Sequence, residues 1–310
     1  MSTPDLTPKA AADSQMVVVT PTYAPDLELF RDLHQSVLRC FPPNVRHVAV
    51  VPETHRSLFR QFEGSRCEVV GVREVLPRSV LALPFLRLNF GGGQPAPLWV
   101  NLRRPYPPLR GWIIQQLVKL AVASQMSEKI IVTADSDLIF VRPVTAETFA
   151  PGGRPRLYRL DDGVDNSLPR HMRWHAVARD LVGLAAPPPP PLPDYVSALV
   201  NWDRDVVTRM LRRIEDVTGR RWLDSVGREL HFSECILYGV FADEFEHAEH
   251  VTLTSDSLLY PYWETTPLTT DQAGAWLEHV GSTDIAYMIS AKSHTPMDVR
   301  RAAHASVFPG

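Results

Sequence analysis

Cysteine and lysine are both scarce in this chain of 310 residues. The three cysteines, Cys40, Cys67 and Cys235, are far apart and form no CxxC pair. An odd number at such spacings indicates neither a disulfide framework nor a zinc site. Only four of the 32 basic residues are lysine, and no block of like charge accompanies the net charge of −3. A nucleic-acid partner is therefore not expected, because such proteins usually carry a basic stripe.

Long hydrophobic runs are also missing. No apolar stretch approaches the roughly 18 residues that a membrane helix needs, so no transmembrane segment is predicted. The first fifteen residues are polar and lack the apolar core of a signal peptide. We therefore expect a cytoplasmic protein with a disordered leader at residues 1–14.

The N-terminal third of the chain alternates between strand-like and helix-like patterns. Short β-branched runs stop at proline or polar residues, and the segments between them carry apolar residues at helical spacing. This alternation predicts a parallel sheet with helices on its faces. The predicted elements are strands at Met16–Thr20, Val45–Val51 and Cys67–Val72, and helices at Asp26–Leu38, with Asp26 as its cap, and Glu53–Phe62.

The rest of the chain is less regular. Residues 73–108, which include Gly91-Gly92-Gly93, are rich in proline and glycine and are interpreted as an irregular excursion that covers a site. Residues 151–185 are polar and aromatic, and the proline run Pro187–Pro191 favours a polyproline II spacer or an exposed loop. The predicted helices are Trp112–Ser124, Val206–Val217, Ser233–Phe241 and Asp271–Val280, and the predicted strands are Lys129–Val132, Tyr195–Trp202, Val251–Leu253 and Ile285–Ser290.

The most informative segment is the strand end that carries Asp135-Ser136-Asp137. Residues two apart on an extended chain point to the same side, roughly 6.6 Å apart. Two carboxylates placed in this way repel each other unless a positive group neutralises them. Mg²⁺ or Mn²⁺ prefers such oxygen ligands and leaves positions for substrate phosphates. A solvated turn is the competing interpretation of an isolated DxD.

The segment around these aspartates resembles the DxD region of glycosyltransferases with the GT-A fold. The opening Val18-Val-Thr-Pro-Thr-Tyr-Ala-Pro-Asp26 resembles the first strand and nucleotide loop of that fold. Gly111–Leu120 followed by the DxD is similar to a bacterial family of GT-A-like proteins of unassigned function. The resemblance implies an α/β, GT-A-like (Rossmann-like) sandwich with a mostly parallel central sheet. Residues 15–310 would form one domain, with a nucleotide-binding half (15–143) and an acceptor-side half (144–310) that includes a Pro-rich loop at 187–193.

The resemblance also implies roles for individual residues. Asp135 would lie nearer the ribose of the nucleotide and Asp137 on the metal, with His294 as a further metal ligand; each of these has a surface position as its competing interpretation. The residues implied in binding the donor are Thr20, Thr22, Tyr23, Gln116, Lys119, Asp135 and Lys292. Tyr23 would stack on the base, and Lys292 would meet a phosphate.

Glu234 follows Ser233 at a predicted helix start and has two interpretations. It is a favourable charge at the helix N-terminus, or it is the general base that activates an acceptor hydroxyl, alongside Asp137 as the second catalytic residue. The tryptophans interpreted either as core residues or as sugar platforms are Trp174, Trp202 and Trp263.

These patterns together predict a metal-dependent glycosyltransferase. A nucleoside diphosphate sugar would be the donor, and a hydroxyl of a saccharide or small molecule the acceptor. Two alternatives stay open: a nucleotidyltransferase, although the loop Pro21–Pro25 lacks the usual Gly-rich basic sequence, and a non-catalytic nucleotide-sugar-binding protein of the same fold.

Overall fold

The computed structural model describes residues 15–88, 96–246 and 251–308, and the side chains of these residues except those at 84–88, 96 and 97. The predicted leader and the Gly91–Gly93 run lie outside these described residues. In the part of the chain that the structure describes, none of the helices has the length and apolarity needed to span a bilayer.

The elements alternate through most of the chain, as the apolar patterning predicts. The strands are β1 (Met16–Pro21), β2 (Arg46–Val51), β3 (Cys67–Gly71), β4 (Val80–Leu88), β5 (Ala96–Asn101), β6 (Arg104–Leu109), β7 (Ile130–Ala134), β8 (Leu138–Phe140), β9 (Arg156–Tyr158), β10 (Leu160–Val164), β11 (Leu192–Asp194), β12 (Leu199–Asp203), β13 (Thr252–Thr254), β14 (Leu259–Tyr262) and β15 (Ala286–Ile289). The α-helices are α1 (Leu27–Cys40), α2 (Arg56–Phe59), α3 (Val72–Val75), α4 (Gly111–Gln125), α5 (Ala146–Phe149), α6 (Pro169–Leu181), α7 (Arg204–Thr218), α8 (Trp222–Val226), α9 (Glu234–Phe245), α10 (Thr270–Leu277) and α11 (Met297–Val307).

The central sheet has five strands in the order β12-β7-β1-β2-β3. β3, β2, β1 and β7 are parallel, and β12 runs antiparallel to β7 at the edge. The predicted fold class, α/β with a mostly parallel central sheet, is confirmed. The chain builds outward from β1 through β2 to β3 and then returns to β7 on the other side of β1. The crevice where this order reverses is where open α/β sheets bind ligands.

Both faces of the sheet are buried. Along β1, Val17 and Val19 join the apolar core that includes α4, α7 and α9. Met16 and Val18 point the other way and pack with residues of α1, β7 and β8. Because side chains alternate across a strand, a strand covered on both faces needs an unbroken apolar run, and β1 has one.

The described residues of the range 73–108 do not form an irregular excursion, and that interpretation is wrong for them. They contain β4, β5 and β6, which form a three-stranded antiparallel sheet in chain order. β6 carries Pro105, Pro107 and Pro108 and lies at the edge of this sheet. Proline is tolerated on edge strands because it donates no ladder hydrogen bond, and its presence concealed the strand pattern.

Two of the longer helices had no counterpart in the sequence prediction. α6 lies inside the region 151–185, and α11 follows the last predicted strand. Asp26 takes the predicted N-cap position of α1, although its side chain makes no cap hydrogen bond. The proline run leads directly into β11, which pairs with β10.

Candidate active site

The two aspartates of the DxD follow β7 at the carboxyl edge of the sheet. Asp135 comes directly after the strand, and its backbone N–H donates to the carbonyl of Ala198 at 3.4 Å. Ser136 turns inward, so that its hydroxyl donates to Oγ1 of Thr22 at 2.9 Å in the loop after β1. This hydrogen bond joins the two neighbouring loops on either side of the crevice.

Asp135 is neutralised by the protein itself. Nζ of Lys119 lies 2.9 Å from Oδ1 of Asp135 and 3.1 Å from Oε1 of Glu234. Lys119 and Glu234 are almost fully buried, at 5% and 6% exposure. Although burial opposes the charged form, the two carboxylates raise the pKa of Lys119 above its ordinary value, so the lysine stays protonated.

Gln116 holds this ion-paired group in place. The side chain lies one helical turn before Lys119 on α4, and its Oε1 accepts the backbone N–H of Glu234 at 2.8 Å. Its Nε2 donates to the carbonyl of Trp112 at 3.3 Å. Gln116 is 1% exposed, so the donor could reach it, as predicted, only if the side chains around it moved.

Asp137 has a different environment from Asp135. Its Oδ2 accepts the backbone N–H of Ala291 at 2.6 Å. Its Oδ1 is buried and has no hydrogen-bond partner among the described residues. Burial and the nearby charge of Asp135 raise the pKa of Asp137 to about 6. A buried carboxylate oxygen without a partner is costly, and it is the kind of atom that a cation satisfies.

Asp26 is a third carboxylate at the same place, and the sequence analysis missed it as a site residue. Burial, then the charges of Asp137 and Asp135, raise its pKa to about 7. The position of Asp26 in the order of the strands is the signal that would have identified it. Asp26 follows β1 and the motif follows β7, and the loops at the carboxyl ends of adjacent parallel strands meet.

The first-strand loop contributes residues of very different exposure. Thr20 is fully buried, and its hydroxyl lies 2.9 Å from Nε2 of His47. Thr22 is also buried and accepts the hydrogen bond from Ser136. Tyr23 is 46% exposed and lies near Asp26, and burial followed by the charge of Asp26 raises its pKa. Tyr23 is therefore the accessible aromatic side chain of this loop.

The segment that contains Lys292 and His294 lies against the motif through Ala291. Both side chains are exposed. His294 has a left-handed backbone with φ 53°, and Ser290 caps the preceding turn by accepting the N–H of Lys292 at 3.3 Å. Arg300 of α11 holds the segment by donating to the carbonyls of Ile289, Ser290 and Thr295. The metal role of His294 and the phosphate role of Lys292 remain predictions.

A cavity of about 190 Å³ borders the motif between α1, β15 and α11. Its lining includes Ser136, Asp137, Asp32, Tyr287 and Arg300. Asp137 therefore faces a cleft. Of the tryptophans singled out in the sequence, Trp174 and Trp202 are buried, whereas Trp263 is 53% exposed.

The carboxylate oxygens suit a hard divalent cation, although they do not form a complete cage. Among the described residues no group of three or more His, Cys, Asp or Glu is arranged to hold a metal ion. Mg²⁺ in phosphate-transfer sites typically takes one or two protein carboxylates and completes its shell with water and substrate phosphates. Asp137 and Asp135, with the unpartnered Oδ1 of Asp137, fit that kind of site.

Comparison with known proteins shows the family of this chain. It belongs to a family of unknown function, DUF6492, whose model matches residues 16–281. No curated protein gives a significant match. Among solved structures, mouse xyloside xylosyltransferase 1 in its apo form is 13% identical, with a TM-score of 0.46, and the match covers 91% of this chain and 99% of that one. An active-site mutant of LgtC is 12% identical, with a TM-score of 0.45, and the match covers 94% of this chain and 95% of that one.

Proposed function

We propose that this protein is a metal-dependent glycosyltransferase that uses a nucleoside diphosphate sugar. The observation that carries the proposal is the state of Asp137. Its buried Oδ1 has no partner among the described residues, and the side chain faces a cleft. The charge of Asp135 raises the pKa of Asp137, and both charges raise the pKa of Asp26, so three carboxylates lie close together. Buried carboxylates arranged in this way destabilise the folded state unless a cation binds between them.

Asp137 and Asp135 would hold Mg²⁺ or Mn²⁺, and His294 is the candidate for an additional ligand. The metal would neutralise the donor diphosphate and stabilise it as a leaving group. Tyr23 would stack on the base from the exposed end of the first-strand loop, and Lys292 would pair with a phosphate as a point charge. The Ser136–Thr22 hydrogen bond would keep the base-binding loop and the metal-binding loop at a fixed separation.

Lys119 has a positioning role in this proposal. Its ion pairs with Asp135 and Glu234 fix the direction of the Asp135 carboxylate before any ligand binds. Glu234 remains a candidate general base. Its ion pair with Lys119 at 3.1 Å also suits a second role, in which Glu234 fixes the position of the lysine ammonium group. The two roles predict different kinetics. Loss of a base lowers the rate of transfer to the acceptor, whereas loss of a lysine anchor also weakens donor binding.

The test is donor turnover. The full chain is incubated with a panel of nucleoside diphosphate sugars with Mn²⁺, with Mg²⁺ or with EDTA, and the release of free nucleoside diphosphate is measured. We expect release that depends on the metal and that falls at least a hundredfold in Asp137→Asn. Release of pyrophosphate would instead identify a nucleotidyltransferase. If no donor raises the melting temperature in the presence of either metal, the glycosyltransferase proposal fails.

A further inference from the structure

A basic and aromatic surface lies next to the candidate active site, and the proposed function does not use it. The Trp112–Arg170 patch, as we call it, consists of Arg110 and Trp112 at the start of α4, Arg170, Arg173 and Trp174 at the start of α6, and His231 just before α9. The indole rings of Trp112 and Trp174 stack with their centroids 5.5 Å apart. The guanidinium of Arg170 lies over both rings, 4.6 Å from the first and 4.8 Å from the second.

The positive charges of Arg170 and Arg173 are close together and weakly compensated. Both side chains are exposed, and no described carboxylate forms an ion pair with either of them. Arg173 influences the pKa of Glu229, but the ion pair of Glu229 is with Arg228, at 3.8 Å. Burial, then the charges of Arg173, Arg110 and Arg170, lower the pKa of His231, which shows that these four groups share one small region.

Two helix N-termini add to the positive electrostatic potential of the patch. α4 begins at Gly111 and α6 begins at Pro169, and neither has a side-chain cap. The first N–H groups of a helix carry a partial positive charge and are ready to bind an anion. Stacking on Trp112 and Trp174 immobilises the Arg170 guanidinium without a carboxylate, so its planar fork of donors is ordered before a ligand arrives.

The position of the patch indicates what kind of ligand it serves. Helix α4 runs back from the carboxyl edge of the sheet, and Trp112 and Lys119 lie on the same side of it, seven residues apart. At 1.5 Å per residue this separation is roughly 10 Å along the helix axis. Lys119 contacts Asp135, and the carbonyl of Trp112 accepts a hydrogen bond from Gln116, so the patch adjoins the residues that hold the motif.

We propose that the Trp112–Arg170 patch binds a phosphate group of the acceptor, and that the acceptor is therefore a small phosphorylated molecule. That the ligand is an acceptor rests on the proposed glycosyl transfer. That the ligand carries a phosphate group rests on the patch alone. Arginine forks match the geometry of a phosphate, and an arginine already fixed by aromatic rings loses little conformational freedom when it binds one. The exposed edge of Trp112 would contact the apolar face of the attached sugar or alcohol.

The first experiment measures anion binding without the metal. In EDTA, isothermal titration of the full chain with glucose 6-phosphate is compared with titration with glucose. We expect binding of the phosphate ester alone, weakened at least tenfold in R170A/R173A. R212A removes an exposed arginine of α7 and is the matched control; it should bind as the wild type does. D137N should also retain binding, because the patch is independent of the motif.

Folding and site assignment are controlled by two further measurements. R173E reverses an exposed charge without touching the tryptophans, and it should lose binding while keeping the wild-type melting temperature. Equal binding of glucose 6-phosphate to the wild type and R173E would overturn the proposal, as would equal binding of glucose and its phosphate ester.

Donor hydrolysis separates this inference from the proposed function. Hydrolysis without acceptor should be unchanged in R170A/R173A and lost in D137N. If D137N loses donor hydrolysis but the wild type does not bind the phosphate ester, the phosphate-binding role of the patch is refuted. The glycosyltransferase proposal then stays intact. Binding at the patch with no donor turnover under any condition would refute its assignment to an acceptor.

Discussion

The ammonium group of Lys119 lies 2.9 Å from Oδ1 of Asp135, and this contact makes the two aspartates of the motif unequal. Asp135 has a protein cation as its partner. Asp137, two residues later, has one backbone N–H and an unpartnered oxygen among the described residues. One oxygen of Asp135 is therefore ion-paired within the fold, whereas Oδ1 of Asp137 is left for a ligand.

Asp137→Asn should stabilise the protein in the absence of metal. The raised pKa means that the ionised carboxylate opposes folding, with a penalty that grows as the pH rises from 3.8 to about 6 and is complete above that value. An amide keeps the hydrogen bond from Ala291 and carries no charge. Urea unfolding at about pH 8 in EDTA should give the variant a free energy of unfolding equal to or above that of the wild type. With Mn²⁺ added, the wild type alone should gain stability.

Lys119→Met should destabilise the chain strongly, because it leaves Asp135 and Glu234 without their cation. Removal of one partner from a buried ion pair typically costs about 3–5 kcal/mol. Chemical denaturation measures the loss, and Lys119→Met/Glu234→Gln should recover part of it. Lys129→Met is the matched control, since Lys129 is more than half exposed and lies 3.8 Å from Asp203. A loss below about 1 kcal/mol in Lys119→Met would contradict the ion-pair account.

His34 and His47 form a buried neutral pair that predicts a pH effect. Their Nδ1 atoms lie 3.1 Å apart, so only one of these two nitrogen atoms can carry a proton. Burial, then the charges of Arg66 on His34 and of His34 and Arg66 on His47, lower both pKa values below the ordinary 6.5. A depressed histidine pKa contributes stability that is present above the ordinary pKa and lost as the pH falls below it.

His34→Gln should therefore lose less stability than the wild type between about pH 7 and pH 5. The free energy of unfolding is measured at both values for both proteins, and the difference between the two slopes isolates the histidine pair. The raised pKa values of Asp26 and Asp137 act in the opposite direction, but they are common to both proteins and cancel. Identical slopes would show that the pair accepts a proton without cost.

Gly239 allows α9 to pack directly against the ring of Tyr195. A Cβ atom at this position would overlap the carbon atoms of that ring. Gly239→Ala should cost about 1–3 kcal/mol, because the helix must move away from a close-packed neighbour. Gly274→Ala in α10 is the control, where the added Cβ would lie 3.8 Å from Oγ of Ser306. That variant should be neutral or stabilised by up to about 1 kcal/mol, as measured by thermal unfolding.

The five-stranded sheet was largely predictable, and the reason is local. β1, β2 and β3 are short apolar runs between polar or proline residues. Such a run is typical of a strand that is covered on both faces of its sheet. β4 to β6 were missed because their prolines look like loop residues until the edge position of β6 is known. α11 was missed because its buried residues are Arg300 and Ala303, so its sequence carries little apolar periodicity.

Asp135 and Asp137 could be identified from the chain alone because their two-residue spacing after an apolar strand is itself the signal. The place of Asp26 in the site, the ion pair of Lys119 with Glu234 and the stacking of Arg170 on two tryptophans could not. Each depends on residues far apart in the chain, 115 positions in the case of Lys119 and Glu234. They meet only when β1 and β7 become neighbours and α4, α6 and α9 converge.

The sequence by itself determined most strands of the central sheet and the position of Asp135 and Asp137 after one of them, because both follow from near neighbours along the chain. Tertiary structure decided which carboxylate is neutralised and which is left free, because charge pairing depends on distance in space.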